Sequence, residues 1–262
     1  MKLVKQFSFV VSPQPPFNFT LTVKKPARWF WLNLEEVLEN NVLWTATRIE
    51  DVPIGVKLKN LGTIEEPKVS VKVFGRKSVK EVKEEVKELV RYALGCDEDL
   101  RSFYKICDAF DILRRAREHL YGMKTHFTPV TFHRALLAIT LQMASIKRSR
   151  EMLRSIVKNY GDVLLFDGKS LLTWPSAKRL AKISERELKI KCKLGYRASY
   201  IREISKLEAN RKLPNFLELL SLTPKLAKKR LMEIHGIGEY SAEIVSPHNE
   251  VPIDIWSAKL FC

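Results

Sequence analysis

The chain has 262 residues, 45% hydrophobic and 29% charged, which excludes a disordered polymer and allows one large core or two modest ones. No apolar run approaches the roughly 18 residues of a membrane-spanning helix, and the start, MKLVKQFSFVVSPQPPF, lacks both a long apolar stretch and a small-residue cleavage site, so it reads as mature protein. Lys and Arg number 46 against 30 Asp and Glu, a formal charge of +16 that points to a polyanionic partner, nucleic acid first and an anionic membrane surface second. The plain alternative is a Lys/Glu-rich surface of the kind heat-adapted proteins carry.

In chain order the elements begin with β structure. FSFVV, FNFTLTV, LWTAT, VKLKNL and VSVKVF combine β-branched and aromatic residues and are separated by Pro, Gly, Asn and Asp. This is the pattern of an antiparallel sheet covered on one face; LNLEEVLEN, after the second strand, reads as a helix. From Ser78 the period changes, with Val79, Val82, Val86 and Leu89 recurring at helical spacing among Lys and Glu. After Gly95 nearly everything is helical in pattern, over 97–121, 130–144, 147–160, 176–182, 184–191, 195–208, 215–221, 223–233, 239–246 and 255–262. Asp97, a capping box from Ser184 to Glu187, and Thr223-Pro224 supply start signals. The fold class is α+β: an N-terminal antiparallel sheet domain with a closing helix over 1–95, then a mainly helical body over 96–262. Cys96, Cys107, Cys192 and Cys262 are too widely spaced for a metal site or an iron–sulfur cluster and read as reduced thiols of an intracellular protein, in cytoplasm, nucleoid or nucleus.

The most informative stretch is LMEIHGIGEYSAEIVSPHNEVPIDIWSAKLF, residues 231–261. Gly236-Ile237-Gly238 lies between two helical patterns, where two glycines permit a tight hairpin and leave backbone N–H groups available to a phosphate. An ordinary helix corner capped by glycine is the other reading of that tripeptide. Further on, Pro252-Ile253 delivers Asp254 to the start of a helix, where an N-cap is the ordinary role for an Asp. The charge is also unevenly placed: residues 178–212 hold 12 Lys or Arg against 4 Glu, a net +8, and lead into the hairpin as a phosphate-binding track should.

Together these residues resemble the helix-hairpin-helix–Gly/Pro–Asp motif of the superfamily of DNA base-excision glycosylases. PVTFHRALLAITLQMASIKRSREMLRSIVKNYG resembles the helix pair of that superfamily that fills the gap left by a flipped base, and LGYRASYIREIS resembles a stretch of the 8-oxoguanine glycosylases. The β-rich start resembles the N-terminal sheet shared by those enzymes and bacterial 3-methyladenine DNA glycosylase II. The resemblance implies a helix-hairpin-helix body whose partner is double-stranded DNA carrying a damaged base. It makes Asp254 the carboxylate that stabilises the oxocarbenium-like sugar with water as nucleophile. Tyr240 and Trp256 would line the base pocket. Met143 would be the wedge with Gln142 facing the opposite strand, and Gly236, Ile237, Gly238 and Arg197 would contact DNA. Backbone carbonyls of Met232, Ile234 and Ile237 would hold a monovalent cation, Na+ or K+, with no other cofactor required.

Position 240 bears on the reaction type. Members with lyase activity carry a Lys there, which attacks the sugar as an amine, whereas this chain has Tyr240 and no Lys between Gly236 and Asp254. The expectation is a monomeric, monofunctional glycosylase acting on an alkylated purine. An oxidised purine such as 8-oxoguanine, a non-catalytic hairpin DNA-binding protein, and lyase chemistry through a displaced Lys are the alternatives. Asp254 follows Tyr240 by fourteen residues, a shorter interval than in well-known relatives, and the chain stops at Cys262 just inside the helix that Asp254 begins, as a compact or C-terminally truncated variant would.

Overall fold

The computed structural model describes residues 1–24 and 32–248. The expected α+β class is observed, as two compact units: residues 1–128 with 163–173, and residues 129–162 with 174 onward. The division read at Gly95/Cys96 therefore shifts to Thr128/Pro129, and a piece of the second half of the chain returns to the first unit.

The first unit is built on five antiparallel strands: β1 (Val4–Val11), β2 (Val37–Glu39), β3 (Val42–Ile49), β4 (Val52–Asn60) and β5 (Val69–Gly75), in the order β1-β5-β4-β3-β2. Strands β2, β3 and β4 are joined by two-residue turns, Asn40-Asn41 and Glu50-Asp51, whose φ angles of 50°, 59°, 45° and 65° are the left-handed values that match strand twist. A short hairpin, β6 (Asp162–Phe166) and β7 (Lys169–Thr173), turns at Asp167-Gly168 in the same way and lays Leu164, Phe166 and Leu171 onto Leu3, Trp44, Ala46 and Phe74. A Cβ on Gly55 would stand 2.7 Å from the Phe166 ring, so the β4 glycine makes room for it. The Asp167 carboxylate accepts from Trp44 Nε1 and Lys57 Nζ, both at 2.7 Å.

Three expectations for this unit are corrected. FNFTLTV is not a strand: Asn18 Oδ1 accepts from Leu21 N–H at 3.1 Å and starts α1 (Phe19–Lys24), which buries Phe19, Thr22 and Val23 at helical spacing. LNLEEVLEN is not a helix. Glu36 Oε1 accepts from the N–H of Leu32 (2.8 Å) and Asn33 (3.2 Å) and from Thr45 Oγ1 (2.8 Å), folding the segment into a turn that feeds β2. A 3-10 turn (Lys77–Lys80) and α2 (Lys83–Ala93) follow β5, and the single helix expected over 97–121 is broken at Ala109-Phe110 into α3 (Arg101–Asp108) and α4 (Asp111–His119).

The second unit centres on α5 (Thr131–Leu141), where every residue except the last is buried. Packed on it are α6 (Ile146–Tyr160), α9 (Arg197–Ala209) and α12 (Glu239–Val245), while α7 (Ala177–Lys182) and α8 (Glu185–Lys191) pack on α9 and α11 (Pro224–Met232) on α12. α10 (Phe216–Leu220) carries a full capping box between Asn215 and Glu218. The box read at Ser184 is half formed: Ser184 Oγ accepts from Glu187 N–H at 3.1 Å, but the Glu187 carboxylate turns to Lys191 (2.8 Å) and Tyr160 (3.2 Å). Thr223-Pro224 starts α11 as expected.

Candidate nucleic-acid interface

The hairpin read from the two glycines joins α11 to α12, both within the second unit. Gly236 has φ +90°, and a Cβ there would lie 2.5 Å from Cγ of Tyr200 on α9, so both backbone and packing demand glycine. Ile237 is buried, and its N–H donates to Ile234 O at 2.9 Å, closing the turn. Gly238 differs from Gly236. It is the exposed N-cap of α12 with extended backbone, and a Cβ placed on it meets no atom of the described residues within 4 Å. Beside the hairpin, the Tyr200 ring meets His235 edge-on at 5.0 Å and Tyr196 at 5.8 Å, and His235 Nδ1 is 2.8 Å from a Glu203 carboxylate oxygen.

The loop between α5 and α6 carries the second set of candidates. Met143 is 91% exposed with φ +44°, so the chain holds an apolar side chain in water on a backbone that bulky residues seldom adopt. Gln142 Nε2 donates to Gly236 O at 2.7 Å and to Ser241 Oγ at 3.0 Å, and Gln142 O accepts from Arg197 Nη2. Arg197 also lies 4.6 Å from the Tyr196 ring centre. The side chains of Gln142 and Arg197, expected on DNA, are thus engaged within the protein.

Tyr240 is half-buried on the first turn of α12, and Met232 and Ile234 bracket the end of α11 and the turn. The Ile234 carbonyl, expected to face a cation, accepts from Ile237 N–H; a carbonyl oxygen keeps a second lone pair, so this bond is compatible with a cation there. Between α11 and α12, Lys228 Nζ bridges Glu239 (2.8 Å) and Glu243, and hydrogen bonds to Glu239 and Glu243 hold its ammonium well above the usual lysine range. Asp254 and Trp256 lie outside the described residues.

Of the basic stretch 178–212, Arg179 binds the carbonyls of Tyr160 and Gly161, Lys189 and Lys191 pair with Glu185 and Glu187, and Arg197 is engaged as above. Lys178, Lys182, Arg186, Lys193, Lys206 and Lys212 are exposed and make no ion pair among the described residues. The thiols fit the sequence reading: Cys96, Cys107 and Cys192 are free and buried, and burial pushes Cys96 up to about 12 and Cys192 up to about 11. Among the described residues no cluster of metal-ligating side chains occurs.

One residue escaped the sequence reading. Arg134, in the middle of α5 and 2% exposed, donates to the carbonyls of Val245 and Ser246 at the end of α12 and lies 5.5 Å from the Phe216 ring. A lone charge inside the apolar run TFHRALLAITL was the available signal, since a charge is buried only where partners await it.

A five-stranded sheet unit and a helical unit that contains a glycine hairpin make up the fold of solved DNA glycosylases. The 3-methyladenine DNA glycosylase of Archaeoglobus fulgidus superposes with a TM-score of 0.66 at 21% identity, covering 90% of this chain and 78% of that one. The apo 8-oxoguanine glycosylase/lyase of Clostridium acetobutylicum superposes at 0.67 and 17% identity, covering 99% and 86%. By sequence, the chain is similar to the DNA-3-methyladenine glycosylase of Bacillus subtilis (strain 168), 24% identical over 163 residues, which is 62% of this chain and 54% of that protein. The match thus spans about half the length of that relative. A probable N-glycosylase/DNA lyase of Methanothermobacter thermautotrophicus is 21% identical over 235 residues, 81% of this chain and 72% of the relative. No family model matches the chain.

Proposed function

We propose that the protein is a monofunctional DNA glycosylase of base-excision repair that hydrolyses the N-glycosidic bond of a damaged purine, an alkylated one foremost. The observation that carries this reading is the glycosylase fold combined with a hairpin whose second glycine, Gly238, is exposed with no atom of the described residues close enough to require its small size. A DNA phosphate on the hairpin's backbone N–H groups is the contact such an opening suits, and a monovalent cation on the carbonyls of Met232, Ile234 and Ile237 belongs to the same proposal. Exposed Met143 would enter the stack when the base leaves it. Tyr240 and Trp256 would line the pocket, an aromatic surface that favours electron-poor, positively charged bases.

In the reaction proposed, the C1′–N bond breaks and its electron pair departs with the base. The Asp254 carboxylate stabilises the positive sugar, and a water oxygen adds to C1′ while its proton passes to that carboxylate and on to solvent. The phenol of Tyr240 forms no imine, and Lys228 is kept protonated between two carboxylates, so neither serves as a Schiff-base nucleophile. An 8-oxoguanine-like lesion is the second reading, favoured by the near-complete overlap with the Clostridium enzyme. The protein is proposed to act inside the cell as a monomer.

The test is single-turnover base release from duplexes each carrying one lesion. Asp254→Asn should abolish release while leaving DNA affinity nearly unchanged; wild-type rates in the variant would remove Asp254 from the chemistry. Product strands should stay intact until alkali treatment, and borohydride should trap no protein–DNA adduct. Efficient trapping would make the enzyme a lyase.

A further inference from the structure

Between the α5–α6 loop and the hairpin lies a polar junction that the proposed chemistry does not use. Gln142 sits immediately before Met143 and grips the hairpin at the Gly236 carbonyl (2.7 Å) and the helix that follows it at the Ser241 hydroxyl (3.0 Å). Its own carbonyl is held by Arg197 from the start of α9, and Tyr200, one turn along the same helix, packs against the Cα side of Gly236. The two elements that would face DNA, an exposed apolar side chain and an open backbone turn, are therefore joined through one amide side chain. The strained φ of Met143 has its counterpart here: the residue before it is fixed at both side chain and carbonyl, so the loop has little freedom to relax.

We propose that Gln142 is a positioning residue that couples the Met143 loop to the hairpin, so that seating the hairpin on a phosphate sets where Met143 enters the duplex. This rests on the glycosylase reading for its functional half, but the coupling itself is a property of the free protein. Removing the amide should loosen both partners at once, because each would lose the group that orients it.

Hydrogen exchange on the free protein tests the coupling without DNA. Gln142→Met, equal in length but without donors, should lower protection in residues 142–145 and in 235–240 together, with α7 and α8 unchanged; loosening of only one segment, or of neither, overturns the proposal. If Gln142→Met does not fold, Ser241→Ala, which removes one acceptor, is read the same way. With a lesion that wild type excises, Gln142→Met should slow single-turnover release by about tenfold, the effect of a wedge held less often in its working position. Added to Met143→Ala it should slow release no further. Additive slowing would mean that Gln142 does not act through Met143 and would overturn the coupling. Failure of the wild type on every lesion would count against the glycosylase reading alone, and exchange would still decide the coupling.

Discussion

The two units satisfy their backbones in different ways. In the sheet unit, strand ladders and left-handed two-residue turns pair main-chain groups with one another, and Arg48, Arg114 and Lys124 take the carbonyls of Asp51, Asp108 and Glu98 outside the ladders. In the helical unit, carbonyls left over at helix ends and loops are collected by long side chains: Arg134 takes Val245 and Ser246, Gln142 takes Gly236, Arg148 takes Lys193, Arg179 takes Tyr160 and Gly161, and Arg197 takes Gln142. The lesson concerns charge. Part of the positive charge that suggests a nucleic-acid partner for this half of the chain is already committed to the protein's own carbonyls, so net charge overstates what a polyanion would meet. Exposed Lys178, Lys182, Arg186, Lys193, Lys206 and Lys212 remain the better candidates for phosphate contacts that weaken with salt.

The largest effect should follow from Arg134→Met. It strands buried carbonyls that a thioether does not satisfy, at a cost of about 1–3 kcal/mol for each group, and should lower hydrogen-exchange protection in α12 while leaving β3–β5 unchanged. An equal loss in the strands would break the distinction between the units. Next comes a contrast within the hairpin. Gly236→Ala should destabilise the helical unit by about 2 kcal/mol or more, from a left-handed φ and the Tyr200 ring, and Gly238→Ala by no more than about 1 kcal/mol, the difference between glycine and alanine at an N-cap. Gly238→Ala should nonetheless weaken binding to lesion and undamaged duplex alike; unchanged affinity would take the hairpin out of the interface. A smaller effect than those at Arg134 and Gly236 belongs to the sheet unit. Asp167→Ala loses the bonds from Trp44 and Lys57 and should cost about 1–2 kcal/mol in urea unfolding without altering DNA affinity. Burial pushes the Asp167 carboxyl up, but hydrogen bonds from Lys57 and Trp44 outweigh it and the net shift is downward from 3.8. A depressed folded value means that this contribution is present above 3.8 and lost as pH falls below it, so wild type and Asp167→Ala should converge in stability in acid.

Legibility in the sequence followed the range of the interactions. Helical periodicity located α5 through α12 because each buries a face that repeats along its own residues, and the glycine pair located the hairpin because only glycine suits φ +90° against Tyr200. The errors fall where a distant or polar partner decides. Glu36 gathers two N–H groups and the Thr45 hydroxyl, which turns a helical-looking segment into the entry to β2. DVLLFDGKSLLT carried an Asp-Gly turn signal between two apolar runs, but its place among helices hid the hairpin β6–β7. The internal bonds of Gln142 and Arg197 were equally hidden from the sequence, because their acceptors, Gly236 and Gln142, lie far away along the chain.

The hairpin β6–β7 also bears on the order in which the chain matures. The sheet unit is discontinuous, closed by residues 163–173 after a stretch of 34 residues, 129–162, that belongs to the other unit. On a ribosome, a nascent chain that has just completed β5 lacks Leu164, Phe166 and Leu171, so Trp44, Ala46 and Phe74 await their cover until α5 and α6 have been synthesised. Folding strictly one unit after the other is therefore closed to this protein. Its first unit is also the part with a long wait between making an apolar surface and covering it, the interval in which exposed strands are most open to misassociation.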